Sequence, residues 1–271
     1  MAKYYVVTHK DIDSFIKDNF TVMFVGAAKK NSDGTEKQVP SGMLSDAEGD
    51  NISEKNGTYC ELTAMYQVWK NRLNNSDSVG FCHYRRFFTT KSHSMNVKHY
   101  LNSDSIDRVM GDKRIILPKK ILYLKTVWGM IEDVPFCKEM NLMRAALSNV
   151  SPEYVYVYDA YINGNETYLW NMFVMRQEDF SNYCDWMFTV LSEVERIYHA
   201  GNTIDFKEDR LYGFLSERLL NLWVTKNIDS KEIKELRVIH TAEGNFKGWL
   251  GSFIRPMKQA LRILIYRSKH K

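Results

Sequence analysis

Short apolar runs of strand length, separated by longer stretches of helical periodicity, limit this chain more than any other feature. Tyr4–Thr8, Thr21–Gly26, Val79–Cys82, Ile115–Pro118 and Leu169–Met175 are rich in β-branched and aromatic residues and bounded by polar or turn-forming ones, the pattern of buried strands. Between them the period changes. Thr58 and Glu61 stand at capping-box spacing ahead of Leu62, Met65, Tyr66 and Trp69, so a helix is predicted from Asn56 onward. Further helices are predicted over Val134–Leu147, Glu178–Ala200 and Arg210–Trp223, while Tyr154–Tyr161 fits either state. The polar stretch from Lys29 to Ser53 reads as one long loop, a common carrier of function. No internal repeat or low-complexity linker breaks the series. The expectation is one continuous α/β domain over residues 1–245 and a distinct tail over 246–271.

Composition narrows the class. Of 271 residues 44% are hydrophobic, enough to bury a substantial core, so disorder is not expected. The aromatic content of 13% serves a large core or stacking on sugars equally well. Cys60, Cys82, Cys137 and Cys184 lack paired short spacing, which speaks against a zinc knuckle and against a secreted disulfide framework. Met1–Lys10 has no apolar run of signal type, and no apolar stretch reaches the roughly 18 residues of a membrane span. A cytoplasmic protein is expected.

The net charge of +4 is concentrated in the tail, at Lys247, Arg255, Lys258, Arg262, Arg267, Lys269 and Lys271. That distribution indicates a local anionic contact and no nucleic-acid partner. Met257, Leu261, Leu264 and Ile265 share a helical face flanked by Lys258, Arg262 and Arg267. Such a helix suits an anionic membrane surface, and equally a terminal helix packed on its own domain.

The chemistry gathers at His83-Tyr84-Arg85-Arg86, directly after the strand Val79–Cys82. Ligands of open α/β sheets bind outside the carboxyl ends of strands, and arginine grips phosphate oxygens bidentately. The structural alternative is that Arg85 and Arg86 pair with carboxylates and His83 satisfies a buried carbonyl.

Three stretches together resemble a family of bacterial capsular and exopolysaccharide biosynthesis glycosyltransferases, long catalogued as a domain of unknown function. They are Gly49-Asp50-Asn51-Ile52-Ser53 with Asn56 and Tyr59-Cys60-Glu61-Leu62-Thr63, then Gly80-Phe81-Cys82-His83-Tyr84-Arg85-Arg86-Phe87-Phe88, and lastly Arg210 to Leu219; Asn171-Met172-Phe173 looks like a fourth element. The resemblance implies a GT-A-like α/β fold, a nucleotide-binding sandwich with a central mixed sheet flanked by helices. It also implies a nucleotide diphosphate sugar as donor, UDP-linked by preference, and a lipid-linked oligosaccharide as acceptor in capsule, exopolysaccharide or O-antigen synthesis. Some members resemble galactosyl- or galactofuranosyltransferases, so a hexosyl group is the expected cargo. The protein would then work as a peripheral membrane enzyme on the inner face of the cytoplasmic membrane.

In such a fold Thr8, His9 and Lys10 and the nearby Gly26 fall where base and ribose bind, Asp50, Asn51 and Glu61 are candidates for the ribose or donor sugar, and His83 to Arg86 for the diphosphate. Glu217 is the candidate general base, with Asp209 in reserve, and Trp170 and Asn171 are candidates for the acceptor. Each has a structural alternative: an Asx-type turn for Asp50 and Asn51, a helix cap for Glu61, an ion pair with Arg218 or Arg210 for Glu217, a core position for Trp170. No organic cofactor is expected. The sole Asp-x-Asp, Asp11-Ile12-Asp13, reads better as a helix start than as a metal site. A metal-independent reaction is therefore favoured over one using Mn²⁺ or Mg²⁺, with the basic cluster in the metal's place. The competing functional reading is a non-catalytic carbohydrate-assembly or membrane-tethering protein that keeps the nucleotide-sugar fold.

Overall fold

The computed structural model describes residues 2–73, 76–91, 96–132, 139–201 and 209–241. The chain runs β1 (Lys3–Thr8), α1 (Ser14–Asn19), β2 (Thr21–Phe24), β3 (Leu44–Ser45), α2 (Asn56–Tyr59), α3 (Leu62–Asn71), β4 (Ser78–His83), β5 (Arg86–Thr89) and α4 (Ser103–Met110). It continues with β6 (Ile115–Pro118), β7 (Ile121–Leu122), α5 (Val127–Ile131), α6 (Glu139–Val150), α7 (Val155–Asn163), β8 (Glu166–Thr167), β9 (Phe173–Arg176), α8 (Gln177–Gly201), α9 (Leu211–Asn227) and β10 (Ile233–His240). The predicted 246–271 tail lies outside the described residues.

β3, β2, β1 and β4 lie side by side and parallel, in the arrangement that alternating strands and helices produce. β9 is antiparallel to both β4 and β6, while β10 runs parallel to β6 and antiparallel to β5. The sheet is mixed and buried on both faces. Tyr5, Val7, Val79, Phe81 and Phe173 join Leu62, Met65, Met143, Val190 and Leu215 in one core, while Tyr4, Val6, Cys82 and Val174 join Phe88, Leu101, Ile106 and Met110 in the other. Alternate side chains of one strand thus feed two different cores.

The structure departs from the sequence expectations at two places. The helix expected from Asn56 with a Thr58/Glu61 capping box is broken. Cys60 has φ 51°, Thr58 Oγ1 donates to the Lys55 carbonyl at 3.1 Å, and α3 starts at Leu62 with no side-chain cap from Glu61. The strand expected over Leu169–Met175 begins only at Phe173, because Trp170 and Asn171 both take left-handed φ values, 78° and 46°. The ambiguous Tyr154–Tyr161 is helical: Tyr154 ends a 3-10 turn, and the residues from Val155 onward lie inside α7. Asp11 and Asp13 serve α1: Asp13 caps it by accepting the Phe15 N–H at 2.8 Å, and Asp11 pairs with Lys17 at 3.2 Å.

The loop after β2 is held by a carboxylate the sequence reading did not single out. Asp46, wholly buried, accepts the N–H groups of Gly26 (2.8 Å) and Ala27 (3.1 Å) and the Ser53 hydroxyl (2.6 Å). Gly26 has φ 71°, and a Cβ there would stand 2.7 Å from Asn56 Oδ1, so only glycine fits. Asp46→Ala strands the buried Gly26 N–H and the half-buried Ala27 N–H. Urea denaturation is expected to show a loss of about 2–4 kcal/mol.

Candidate active site

Three parallel strands, β1, β2 and β4, end at one edge of the sheet, at Thr8, Phe24 and His83, and the antiparallel β9 begins there at Phe173. The amino-terminal turns of α9 close over this edge, since Asn171 reaches Gly213 and Ser216. Gly213 makes this approach possible: a Cβ on it would lie 3.0 Å from both Cβ and Sγ of Cys60.

The tetrapeptide His83 to Arg86 is a hairpin. His83 and Arg86 face each other across β4 and β5, and Tyr84 and Arg85 form the two-residue turn. Opposed residues share one face of a sheet while a turn projects beyond it. The four side chains therefore serve two places.

The outer place is cationic. The Tyr84 ring receives the Arg85 guanidinium at 4.9 Å and Lys10 Nζ at 5.2 Å from its centre, with the His9 ring edge-on at 5.6 Å. Thr8 fixes the turn beneath: its hydroxyl donates to the Lys10 carbonyl at 2.8 Å and accepts the Lys10 N–H at 3.2 Å. Burial, and then the charges of Lys10, Arg85, Lys37 and Arg210, hold the His9 imidazole below the usual histidine range. Such a surrounding favours an anion.

The inner place is built on Trp170 and Asn171. His83 Nε2 lies 2.6 Å from the Trp170 carbonyl oxygen. A carbonyl only accepts, so Nε2 carries the hydrogen of this bond. The Trp170 ring lies between the Arg86 guanidinium, 5.4 Å from its centre, and the edge of His240, 4.9 Å away. Asn171 is 1% exposed, and its amide nitrogen donates to Glu61 Oε1 (2.7 Å), Ser216 Oγ (2.8 Å) and the Gly213 carbonyl (3.3 Å). The break at Cys60 thus turns Glu61 from a helix cap into a partner of Asn171.

Glu217 completes the group. Its carboxylate pairs with Arg218 Nη1 at 3.2 Å; its side chain is 25% exposed. Burial raises its pKa, and the nearby Glu61 raises it further; Arg218, the Trp170 backbone and His83 pull the other way without cancelling the rise. A carboxylate shifted toward neutrality is suited to taking a proton.

Other candidates have different surroundings. Asp50 sits at the far end of α3 from Glu61, where its N–H and carbonyl bond Asn71 (3.1 and 2.7 Å) and its carboxylate accepts from Tyr66 (3.3 Å). Asn51 makes an Asx-type turn, its side chain bonding Ala47, Gly49 and Ser53. Gly26 gives its N–H to Asp46, and Asp209 is exposed next to the α9 start. Ser216 and His240 escaped the sequence reading. Ser216 sits in a helix with no distinguishing pattern, and His240 ends a strand, β10, whose Lys234, Glu235 and Arg237 obscure its alternation.

A divalent metal would need convergent hard ligands. Among the described residues no three His, Cys, Asp or Glu side chains are grouped to hold one, and Asp11 and Asp13 are committed to α1.

The chain belongs to the DUF4422 family, a domain of unknown function whose model matches residues 3–228. Among solved structures it is similar to the apo form of the bifunctional glycosyltransferase WbbM, at 29% identity and a TM-score of 0.75 over 90% of this chain. The match spans 46% of that protein, so this chain has about half its length. The fold, a central mixed sheet flanked by helices, is thus that of part of a glycosyltransferase. The mannosyltransferase Ktr4p from S. cerevisiae aligns at 11% identity over 71% of this chain and 62% of its own, but a TM-score of 0.27 is too low to equate the folds. No curated protein matches the sequence.

The raised Glu217 pKa sets a sign. Its favourable contribution to stability is present below the unfolded carboxylate pKa and is lost as pH rises through the folded value. Glu217→Gln is therefore expected to melt at or above the parent temperature at pH 8, and to lose that advantage at pH 4. A large drop in melting temperature at pH 8 would mean that the Arg218 pairing dominates.

Proposed function

We propose that the protein is a glycosyltransferase that moves a hexosyl group from a nucleotide diphosphate sugar to a saccharide acceptor. The observation that carries this is a cationic mouth, Lys10, Tyr84 and Arg85, opening beside a carboxylate-bearing interior, Glu61, Asn171 and Glu217, in the fold shared with WbbM. Arginine and lysine around Tyr84 neutralise the diphosphate, and His9 and Thr8 lie beside them for the nucleoside. The sugar extends inward toward His83, Arg86 and Trp170. Glu217 removes the proton of the incoming acceptor hydroxyl, and Glu61, held by Asn171, hydrogen-bonds the donor sugar.

UDP-galactose or UDP-galactofuranose is the favoured donor, and a lipid-linked oligosaccharide of capsule, exopolysaccharide or O-antigen synthesis the favoured acceptor. The setting proposed is the inner face of the cytoplasmic membrane, with the tail from residue 246 on the lipid. No helix among the described residues is long and apolar enough to cross a membrane, which is compatible with that setting. The reaction is proposed to need no metal.

Transfer of radiolabelled sugar from a panel of UDP-, GDP- and dTDP-sugars to lipid-linked acceptors tests the reading. Glu217→Gln is expected to lower the rate by about 100-fold or more while nucleoside diphosphate binding persists. Activity is expected to survive excess EDTA. Nucleotide binding without transfer for any donor and acceptor would instead favour the non-catalytic assembly protein.

A further inference from the structure

Beyond Lys10 and Arg85, three more cations converge on the same mouth from separate segments. Lys37 comes from the loop after β2 and Arg210 from the residue before α9, and both act electrostatically on His9 together with Lys10 and Arg85. Arg210 is fixed in place by its backbone: its N–H donates to the Gly57 carbonyl at 2.9 Å and its φ is 68°. Lys29 comes in at the same point, where a Cβ on Gly57 would stand 2.9 Å from Lys29 Nζ.

What sets these residues apart is that they gather at one place, since Lys70, Arg108 and Lys226, scattered elsewhere, also form no ion pair among the described residues. Lys17, Lys55, Arg72, Arg114, Arg144, Arg196 and Arg218 each have a carboxylate partner. Lys10, Lys29, Lys37, Arg85 and Arg210 have none among the described residues. Like charges brought together without counter-charges repel, and a fold holds them so when a ligand supplies the opposite sign. The start of α9 adds to the same field, because no side chain caps it.

We infer that Lys29, Lys37 and Arg210 complete the diphosphate site, with Arg210 neutralising the leaving nucleoside diphosphate. This rests on the donor being a nucleotide diphosphate sugar. In the transfer step the bond from the anomeric carbon to the β-phosphate oxygen breaks, and its electron pair stays on that oxygen. The acceptor oxygen bonds the anomeric carbon and its proton passes to Glu217. The departing diphosphate gains one negative charge at that moment. Arg210, directly before the helix that carries Glu217 and against the segment that carries Glu61, is placed to meet that charge; Lys29 and Lys37, on the loop after β2, hold the diphosphate before and after.

Calorimetric titration of the full chain with UDP tests the inference on Arg210→Ala, Arg210→Lys and the double variant Lys29→Ala/Lys37→Ala. The double variant is expected to bind UDP about tenfold or more weakly and to raise KM; Arg210→Ala is expected to lower kcat by about 100-fold, with partial recovery in Arg210→Lys. The His9 ring proton resonances give a readout apart from activity. Four charges, Lys10, Lys37, Arg85 and Arg210, surround that ring, so Arg210→Ala alone, or UDP added to the parent protein, is expected to move its titration to higher pH. Parent affinity for UDP in both alanine variants would overturn the inference and leave the donor reading standing. Failure of the parent protein to bind any nucleoside diphosphate would remove the donor reading itself.

Discussion

The Trp170 carbonyl and the Asn171 amide hold groups from three separate segments: His83 from the hairpin, Ser216 from α9, Glu61 from the start of α3. Both residues occupy the left-handed region without being glycine, which costs on the order of 1–3 kcal/mol each. The cost is borne by the bonds the conformation makes possible. An extended Trp170-Asn171, as in the strand the sequence suggests, would aim successive groups to opposite faces of the sheet. The turn gathers them on one side.

Charge is sorted around that turn. Carboxylates stand inside, where Glu61 is paired with an amide and Glu217 with Arg218. Unpaired cations stand outside, around Tyr84 and His9. The hairpin produces the separation, because its paired residues face inward and its turn residues outward. A diphosphate sugar has the same polarity, anionic at one end and hydroxyl-bearing at the other. A site with both signs mixed would not orient it.

The α/β layout was legible because four strands and the long helices carry unbroken apolar periodicity; β1, β2, β4, β6, α8 and α9 fall close to where Tyr4–Thr8, Thr21–Gly26, Val79–Cys82, Ile115–Pro118, Glu178–Ala200 and Arg210–Trp223 place them. The site was legible as a set of residues and not as a geometry. Thr58 and Glu61 have the spacing of a capping box, but the positive φ at Cys60 that redirects Glu61 depends on α9 packing close through Gly213. Tertiary contact decides it. Likewise the division of His83-Tyr84-Arg85-Arg86 into two pairs follows from the register His83 to Arg86, which composition does not encode. β10 was hidden because only Leu236 and Ile239 of its eight residues are buried.

The central claim is that one ligand spans the sorted charges, its diphosphate outside and its sugar inside. A crystal structure with a nucleotide diphosphate sugar bound, the donor chosen by a thermal-shift screen, tests it most directly. The account requires phosphate oxygens in contact with Lys10 and Arg85, the sugar against Trp170 and within reach of Glu61, and the Trp170-Asn171 turn unchanged. A diphosphate seated against Glu61 and Glu217, or a ligand bound at another edge of the sheet, would contradict it.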